Sequence, residues 1–271
     1  MLVTGSFQDR KRRYGCAAIT KLSFRRQNPV RRKRPRPSRV SRTHIPRRGE
    51  EIAKLLRISD SFSPRAAGRL PPGQVLTAKW PVLSYGETPR IDLASWSFRC
   101  FGLVEREVSW TWGEFLSLPR VEITSDIHCV TRWSRFDNRW EGVSIREILR
   151  RTGISPRAVA VMAHSDGGYT TNIALADLEG DDVLLATKHD GRDLTPEHGG
   201  PCRLVVPKLY FWKSAKWIRS FELMDVDTPG FWEENGYHLR GDPFREERFS
   251  EQETDAMQRM RSESARRRRT D

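Results

Sequence analysis

The sequence has few cysteines, and their spacing is not typical of a metal cluster. Only Cys16, Cys100, Cys129 and Cys202 are present, and no two of them form a CxxC pair. Zinc ribbons, iron–sulfur clusters and covalently attached haem all need closely spaced ligands. We therefore expect neither haem nor an iron–sulfur cluster in this chain.

Long apolar segments are also missing. No run of about 18 apolar residues occurs, so we expect no membrane span. The twin arginines near the start of the chain are not followed by the apolar segment of an export signal. We therefore expect a cytoplasmic protein whose thiols are reduced.

Acidic residues are scarce at the start of the chain. Residues 1–50 hold 16 Lys or Arg and 2 Asp or Glu, whereas the other 221 residues hold 32 and 33. This composition predicts a disordered basic arm at 1–50, followed by a helix and linker at 51–74 with the helix at 51–57, a folded domain at 75–249 and a charged tail at 250–271 that is also disordered. Three alternatives for the arm stay open: binding of nucleic acid or acidic lipid, a transit peptide, and a true start further downstream.

Between the arms, hydrophobic patterns of two periods alternate along the chain. Residues 94–104 and 121–124 have the pattern of strands, with Cys100 as a small core residue. Residues 144–153 have the pattern of a helix, with a capping box between Ser144 and Glu147 and Gly153 after the last turn. Further strands are expected between 158 and 225. The fold class predicted is α+β (mixed), in a single domain.

Cys129 lies in the polar and aromatic stretch "DIHCVTRWS". A nucleophilic role would need a base other than His128, because neighbouring side chains on a strand point to opposite faces. No spacing of histidines and cysteines resembles a zinc site. A single thiolate also suits a redox metal whose other ligands come from an organic cofactor.

Two later segments have the composition of an anion site. "HGGPCRLVVP" at 198–207 combines a Gly-Gly turn with Arg203, and "YFWKSAKW" at 210–217 places Lys213 and Lys216 around Ser214. Guanidinium and ammonium groups beside small residues are typical of phosphate sites. Taken separately, each segment is equally well explained as a turn before a strand or as surface lysines beside core aromatics.

Together, the stretches "DIHCVTRWS", "RWEGV", "DGGYTTN", "EHGGPCRLVVPKLYFWKSAKW" and "GFWEENGYH" carry a family resemblance. Over about residues 75–249 the chain resembles the sulfite oxidase-like molybdopterin-dependent oxidoreductases, in particular their soluble stand-alone bacterial branch. That family includes the catalytic subunits of bacterial methionine-sulfoxide reductases. The resemblance implies a sulfite-oxidase-type fold around a molybdenum–molybdopterin cofactor.

The same resemblance implies particular site residues. Cys129 would be the protein ligand of molybdenum, Arg203 and Lys216 would contact the cofactor phosphate, and Arg132 would take a catalytic role. An ion pair of Arg132 with Asp126 or Asp137 is the alternative for that residue. The implied cofactor contacts are Trp80, Leu83, Ser84, Cys129, His164, His198, Arg203, Ser214, Ala215 and Lys216.

The function expected is a two-electron oxygen-atom transfer on a small oxyanion or sulfoxide. Because the sequence has no second redox motif, an external electron carrier is expected as partner. The second dimerisation domain of animal and plant sulfite oxidases has no counterpart here, so a monomer is expected. Two other functions stay open. One is a non-catalytic protein that binds polyanions, including nucleic acid, through its basic arms, and the other is a thiol hydrolase that uses Cys129.

Overall fold

The computed structural model describes residues 68–270, with side chains as far as residue 266. The expected basic arm, the helix at 51–57 and any polyanion binding by residues 1–67 lie outside this part of the chain.

Eleven strands in the described residues form two mixed sheets. The six-stranded sheet contains β1 (Val75–Leu76), β4 (Arg120–His128), β5 (Trp133–Ser144), β8 (Leu184–His189), β9 (Arg192–Asp193) and β10 (Arg203–Val205). The five-stranded sheet contains β2 (Ser97–Gly102), β3 (Val108–Thr111), β6 (Ala160–Ser165), β7 (Thr170–Ala174) and β11 (Ile218–Met224).

Strand β5 organises the six-stranded sheet because it is paired along both of its edges. Strand β4 runs antiparallel to it from Arg120 opposite Val143 to His128 opposite Ser134. On the other edge, β1 pairs in parallel with the start of β5, and β8 pairs antiparallel with its end. Strand β10 continues the sheet beyond β8. The connection from β4 to β5 therefore lies beside β1, and this connection carries Cys129.

The five-stranded sheet has the order β3-β2-β11-β6-β7, with β11 parallel to β2 and antiparallel to β6. Its inner face supplies much of the main core. The alternation expected around β2 is confirmed, because Trp96, Phe98 and Cys100 are buried while Arg99 is exposed. The ring of Phe98 packs edge-on against that of Phe221, with 5.2 Å between the centroids. These observations confirm the mixed α/β class.

Five helices in the described residues complete the fold: α1 (Trp112–Leu116), α2 (Ile145–Thr152), α3 (Leu175–Leu178), α4 (Phe231–Glu234) and α5 (Asp255–Thr270). Helix α2 ends at Gly153, whose φ of 68° is the left-handed conformation that favours glycine. The capping box predicted at its start is wrong, because Ser144 makes no side-chain cap. Glu147 instead binds Arg150 and Arg151.

The C-terminal tail differs from the disordered segment that its composition predicts. Residues Asp255–Thr270 form helix α5, and the guanidinium of Arg261 pairs with the buried carboxylate of Glu253. Arg261 also donates to the carbonyl oxygens of Glu233 and Tyr237. These contacts compensate for the low hydrophobicity of the helix, and they join it to α4.

The described residues contain no helix that is both long enough and apolar enough to cross a lipid bilayer.

Candidate cofactor site

Cys129 lies in a tight turn between β4 and β5. The amide of Arg132 donates to the carbonyl of Cys129 at 3.0 Å, and the amide of Cys129 donates to the carbonyl of Trp133 at 2.9 Å. Arg132 has a φ of 74°, which a non-glycine residue adopts only where its surroundings enforce it. As alternation along the strand requires, His128 turns away from the cavity, and its Nδ1 lies 2.9 Å from the hydroxyl of Ser134.

The Cys129 turn opens onto a cavity of about 280 Å³. Its walls come from distant segments: the stretch at 80–85, the turn at 129–133, the region 198–217 and the C-terminal segment at 232–237. A volume of this size suits a cofactor-sized or smaller ligand, and most of the lining is apolar or aromatic.

Nine of the eleven site residues predicted from the sequence line this cavity. They are Trp80, Leu83, Ser84, Cys129, His198, Arg203, Ser214, Ala215 and Lys216. They come from positions as far apart as 80 and 216, so residues that the family resemblance selected from distant motifs lie together in the fold.

His164 and Arg132 do not line the cavity. The imidazole of His164 lies in β6, with its Nε2 3.0 Å from a carboxylate oxygen of Glu222. Arg132 is exposed on the Cys129 turn. The ion pair considered for Arg132 is not formed, because Arg69 binds both Asp126 and Asp137.

Two cations lie side by side at the base of the cavity. Arg203 is 1% exposed and donates to the carbonyl oxygens of His198 and Ser214, at 2.7 Å each. Lys216 Nζ donates to Leu83 O, Ser84 Oγ and Glu197 O. Within residues 68–266, neither cation forms an ion pair with a carboxylate.

The electrostatics of these cations favour an added anion. Burial lowers the pKa of Arg203 to about 9. Burial and then the charge of Arg203 lower the pKa of Lys216 to about 8. A buried and a half-buried cation that form no ion pair with the described residues repel each other, and a bound phosphate relieves that repulsion. The donor set therefore fits the phosphate of a pterin cofactor.

The stretch 80–86, called the strap below, lines the cavity and is exposed beyond the half-buried Trp80. The ring of Trp80 packs against the imidazoles of His189 and His198, with centroid separations of 4.3 and 3.9 Å. His198 Nε2 also lies 3.3 Å from the carbonyl oxygen of Trp80. Burial lowers the pKa of both imidazoles. Two imidazoles thus hold Trp80, and Lys216 holds the strap at Leu83 and Ser84.

The thiol of Cys129 is surrounded in a way that suits a ligand better than a nucleophile. Burial raises its pKa, and the hydroxyl of Thr131, 3.1 Å from Sγ, opposes that rise. No histidine of the described part hydrogen-bonds to the sulfur, so the base that a thiol hydrolase requires is missing from the geometry there. Nor do three His, Cys, Asp or Glu side chains of residues 68–266 group as a metal site. A metal at Cys129 would need other ligands from a cofactor.

Sequence reasoning missed most of the aromatic wall of the cavity. Tyr85, Tyr169, Trp212, Trp232 and Tyr237 all line it, and of these the sequence suggested only Tyr169, for which core packing was preferred. The stretch "GFWEENGYH" contains two of these residues, and its density of aromatic side chains was the available signal. The grouping of Lys213 with Lys216 was wrong, because Lys213 points away from the cavity and forms a buried ion pair with Glu233.

Comparison with known proteins gives consistent results. Residues 85–232 match the family model described as an oxidoreductase molybdopterin binding domain. An uncharacterized oxidoreductase, YuiH of Bacillus subtilis (strain 168), is 45% identical over 185 residues, which are 68% of this chain and 93% of that protein. A putative protein-methionine-sulfoxide reductase subunit, YedZ1 of Azospira oryzae, is 28% identical over 183 residues, which are 66% of this chain and 70% of that protein.

Among solved structures, the sulfane dehydrogenase SoxCD from Paracoccus pantotrophus aligns with a TM-score of 0.47 and 23% identity, covering 51% of this chain and 40% of that one. The family match spans more than half of the sequence. The chain therefore belongs to the family of oxidoreductases with a molybdopterin-binding domain. It is an enzyme of the oxidoreductase class, and the resemblance to sulfite oxidase-like proteins inferred from its motifs is confirmed.

Proposed function

We propose that the cavity beneath the strap holds a molybdenum–molybdopterin cofactor, with Cys129 as the protein ligand of the metal. Arg203 and Lys216 would bind the cofactor phosphate. Trp80, Leu83, Ser84, His198, Ser214 and Ala215 would surround the pterin. The observation that carries this proposal is the pair of cations in one cavity with a thiol, Arg203 buried and Lys216 half-buried, with no ion pair to either among residues 68–266.

When bound, the cofactor supplies a two-electron redox centre that exchanges an oxygen atom with the substrate. The chain contributes positioning and electrostatics. The aromatic wall excludes water, and the two cations neutralise the phosphate in a low-dielectric site, where such bonds are stronger than in water.

Tyr237 is the residue best placed to hold a proton near Cys129. It lines the cavity, and burial and then the neighbouring thiol of Cys129 raise the pKa of its hydroxyl. The hydroxyl therefore stays protonated at neutral pH and can donate a hydrogen bond. By contrast, the hydroxyl of Tyr169 already donates to the carbonyl of Trp212 at 2.6 Å.

The substrate proposed is a small oxyanion or sulfoxide. In the reductive direction, the bond from sulfur or the central atom to oxygen breaks, two electrons and two protons are consumed, and the oxygen leaves as water. Support for this class comes from the relative named as a putative methionine-sulfoxide reductase subunit. Electrons would come from an external carrier, and we propose that the enzyme works as a cytoplasmic monomer.

The test is the composition of the purified protein. Molybdenum, measured by mass spectrometry, and pterin, measured by fluorescence after oxidation, are expected to be stoichiometric with the chain. Arg203→Met and Lys216→Met should each lower both contents together, because each removes charge-assisted bonds of about 1.5–3 kcal/mol. Lys188→Met, at a half-exposed lysine, is the matched control and should load normally. Full loading of both site variants would place the phosphate elsewhere.

A further inference from the structure

The backbone of the Cys129 turn is held by two side chains from distant parts of the sequence. Gln74 Nε2 donates to the carbonyl oxygen of Cys129 at 2.9 Å. Arg248 Nη1 donates to the carbonyl oxygen of Val130 at 2.6 Å. Consecutive carbonyls are thus fixed from opposite ends of the folded chain, and the direction of the Cys129 side chain is fixed with them.

The side chain of Arg248 is deeply buried, although few neighbouring groups compensate the positive charge of its guanidinium. Its side chain is 5% exposed, and its closest carboxylate oxygen belongs to Glu246, at 3.7 Å. Its Nε has no hydrogen-bond partner among residues 68–266. The flat group lies over the ring of Tyr210, with 4.8 Å from Cζ to the ring centre. Burying a cation without a close carboxylate and with one unpaired N–H costs free energy. A functional role for Arg248 would explain why this cost is tolerated.

The charge of Arg248 lies close to the metal-ligand turn. Its buried guanidinium contacts the carbonyl oxygen of Val130, the residue that follows Cys129. Arg248 belongs to the segment that follows α4, whereas the two cations at the base of the cavity lie at 203 and 216. The thiol and the proposed phosphate site therefore have separate cations, held by separate parts of the fold.

We propose that Arg248 is a positioning residue for the metal ligand. It fixes the Cys129 turn through the Val130 carbonyl, and it places a buried positive charge next to the residue that carries the sulfur. This inference rests on the proposed function, since it assigns Cys129 to the metal. It concerns the side of the site away from the phosphate, so loss of Arg248 leaves the residues that bind the phosphate unchanged.

The charge has a consequence for the redox centre. An electron added to the metal is a negative charge, and a nearby cation stabilises the reduced state relative to the oxidised state. Removal of the cation therefore shifts the midpoint potential of the molybdenum to more negative values. Loss of the hydrogen bond to Val130 also loosens the turn, so Cys129 adopts a wider range of orientations.

Three variants of the full-length enzyme separate these effects. Arg248→Met removes charge and hydrogen bond, and Arg248→Lys keeps the charge but loses the guanidinium fork. Arg245→Met removes an exposed arginine three positions away and is the control. Molybdenum content should stay at the wild-type level in all three. The midpoint potential, followed by the EPR signal of the partly reduced metal, should become more negative in Arg248→Met only.

The EPR line should broaden in both Arg248 variants, because a looser turn spreads the geometry at sulfur. A potential and line width in Arg248→Met equal to those of Arg245→Met would overturn the proposal. If Arg248→Met does not fold, Arg248→Lys decides the positioning role: a broadened line supports it, and an unchanged line contradicts it.

Hydrogen exchange on metal-free protein tests the same idea without the metal. The amides of Cys129 and Arg132 are hydrogen-bonded within the turn. They should exchange faster in both Arg248 variants than in wild type and Arg245→Met, and unchanged exchange would overturn the positioning role. Absence of molybdenum from wild-type protein would refute the proposed function instead, so the two failures are distinguishable.

Discussion

Lys213 and Glu233 form an ion pair at 2.6 Å in which neither side chain exposes any surface. The same ammonium donates to the carbonyl oxygens of Asn172 and Leu239, and the carboxylate accepts from the indole of Trp212. The pair therefore joins β7, the cavity wall and the C-terminal segment at one buried point.

This pair predicts a large cost for removing one partner. Lys213→Met should lower the free energy of unfolding by about 3–5 kcal/mol, because the carboxylate of Glu233 would stay buried without its cation. Lys188→Met removes one member of a partly exposed pair with Glu141 and should cost about 0–1 kcal/mol. Urea unfolding of both variants measures the difference. Equal midpoints would show that Glu233 is neutralised in some other way.

A second prediction concerns pH and follows from Lys216. Its pKa falls from the ordinary 10.5 to about 8 in the folded chain. Between these values the unfolded chain binds the proton more strongly, so the stability of cofactor-free protein should rise as pH increases from 8 to 10. Phosphate binding should show the opposite trend, because it needs the charged ammonium. Melting temperatures with and without phosphate measure both, and Lys216→Met should reduce both trends, leaving the part above about pH 9 that comes from Arg203.

A third prediction separates the metal ligand from the phosphate site. Cys129→Ser should abolish turnover while much of the pterin stays bound, because Arg203 and Lys216 are unchanged. Cys100→Ser is the matched control: its hydroxyl lies beside that of Thr152, and it should cost about 1–3 kcal/mol of stability without affecting turnover. Turnover with an artificial electron donor and a panel of sulfoxides and oxyanions provides the measurement. Full activity of Cys129→Ser would refute the ligand assignment.

A fourth prediction tests Tyr237 as a proton donor. Tyr237→Phe keeps the ring and its packing against Trp212 and Trp232 but removes the hydroxyl. Turnover should fall by about 10²–10⁴-fold, with little change in metal content. Tyr85→Phe, at an exposed position on the cavity rim, should retain most activity. A pH profile that is unchanged in Tyr237→Phe, together with normal turnover, would exclude the hydroxyl from the reaction.

A fifth prediction concerns the C-terminal helix. A chain that ends at residue 256 lacks Arg261, which leaves the carboxylate of Glu253 buried without its partner. The loss should be on the order of 3 kcal/mol, and cofactor content should fall because α4 and Tyr237 lose their contacts with the helix. Arg261→Met should reproduce most of the effect. A chain that ends at residue 266 keeps these contacts and should behave as wild type.

Much of the site could be predicted from sequence because its chemistry is concentrated in short motifs. The motifs of Cys129, Arg203 and Lys216 are informative in combination rather than singly, and the structure places all three residues around one cavity. Lys213 and Lys216 are harder to tell apart, because the backbone between them leaves a 3₁₀ turn and takes an irregular path. A spacing of three residues then gives no information on which way each of the two side chains points.

The remaining errors have a common physical cause, which is competition from specific partners that capping rules and composition do not take into account. Glu147 could have capped helix α2 but pairs with two arginines of the next turn. The basic tail has the composition of a disordered segment, yet Arg261 binds the carboxylate of Glu253 and two backbone carbonyl oxygens. Composition reports the average cost of ordering a segment, whereas a few specific contacts decide the outcome.

The cavity wall draws on residues from Trp80 to Tyr237, so no shorter stretch of the chain contains it. The ribosome therefore makes most of the domain between the synthesis of the first and the last residue of this wall. A growing chain cannot assemble this site before residues beyond 237 have emerged. Cofactor insertion must then follow synthesis, and loading distinguishes complete chains from prematurely terminated ones.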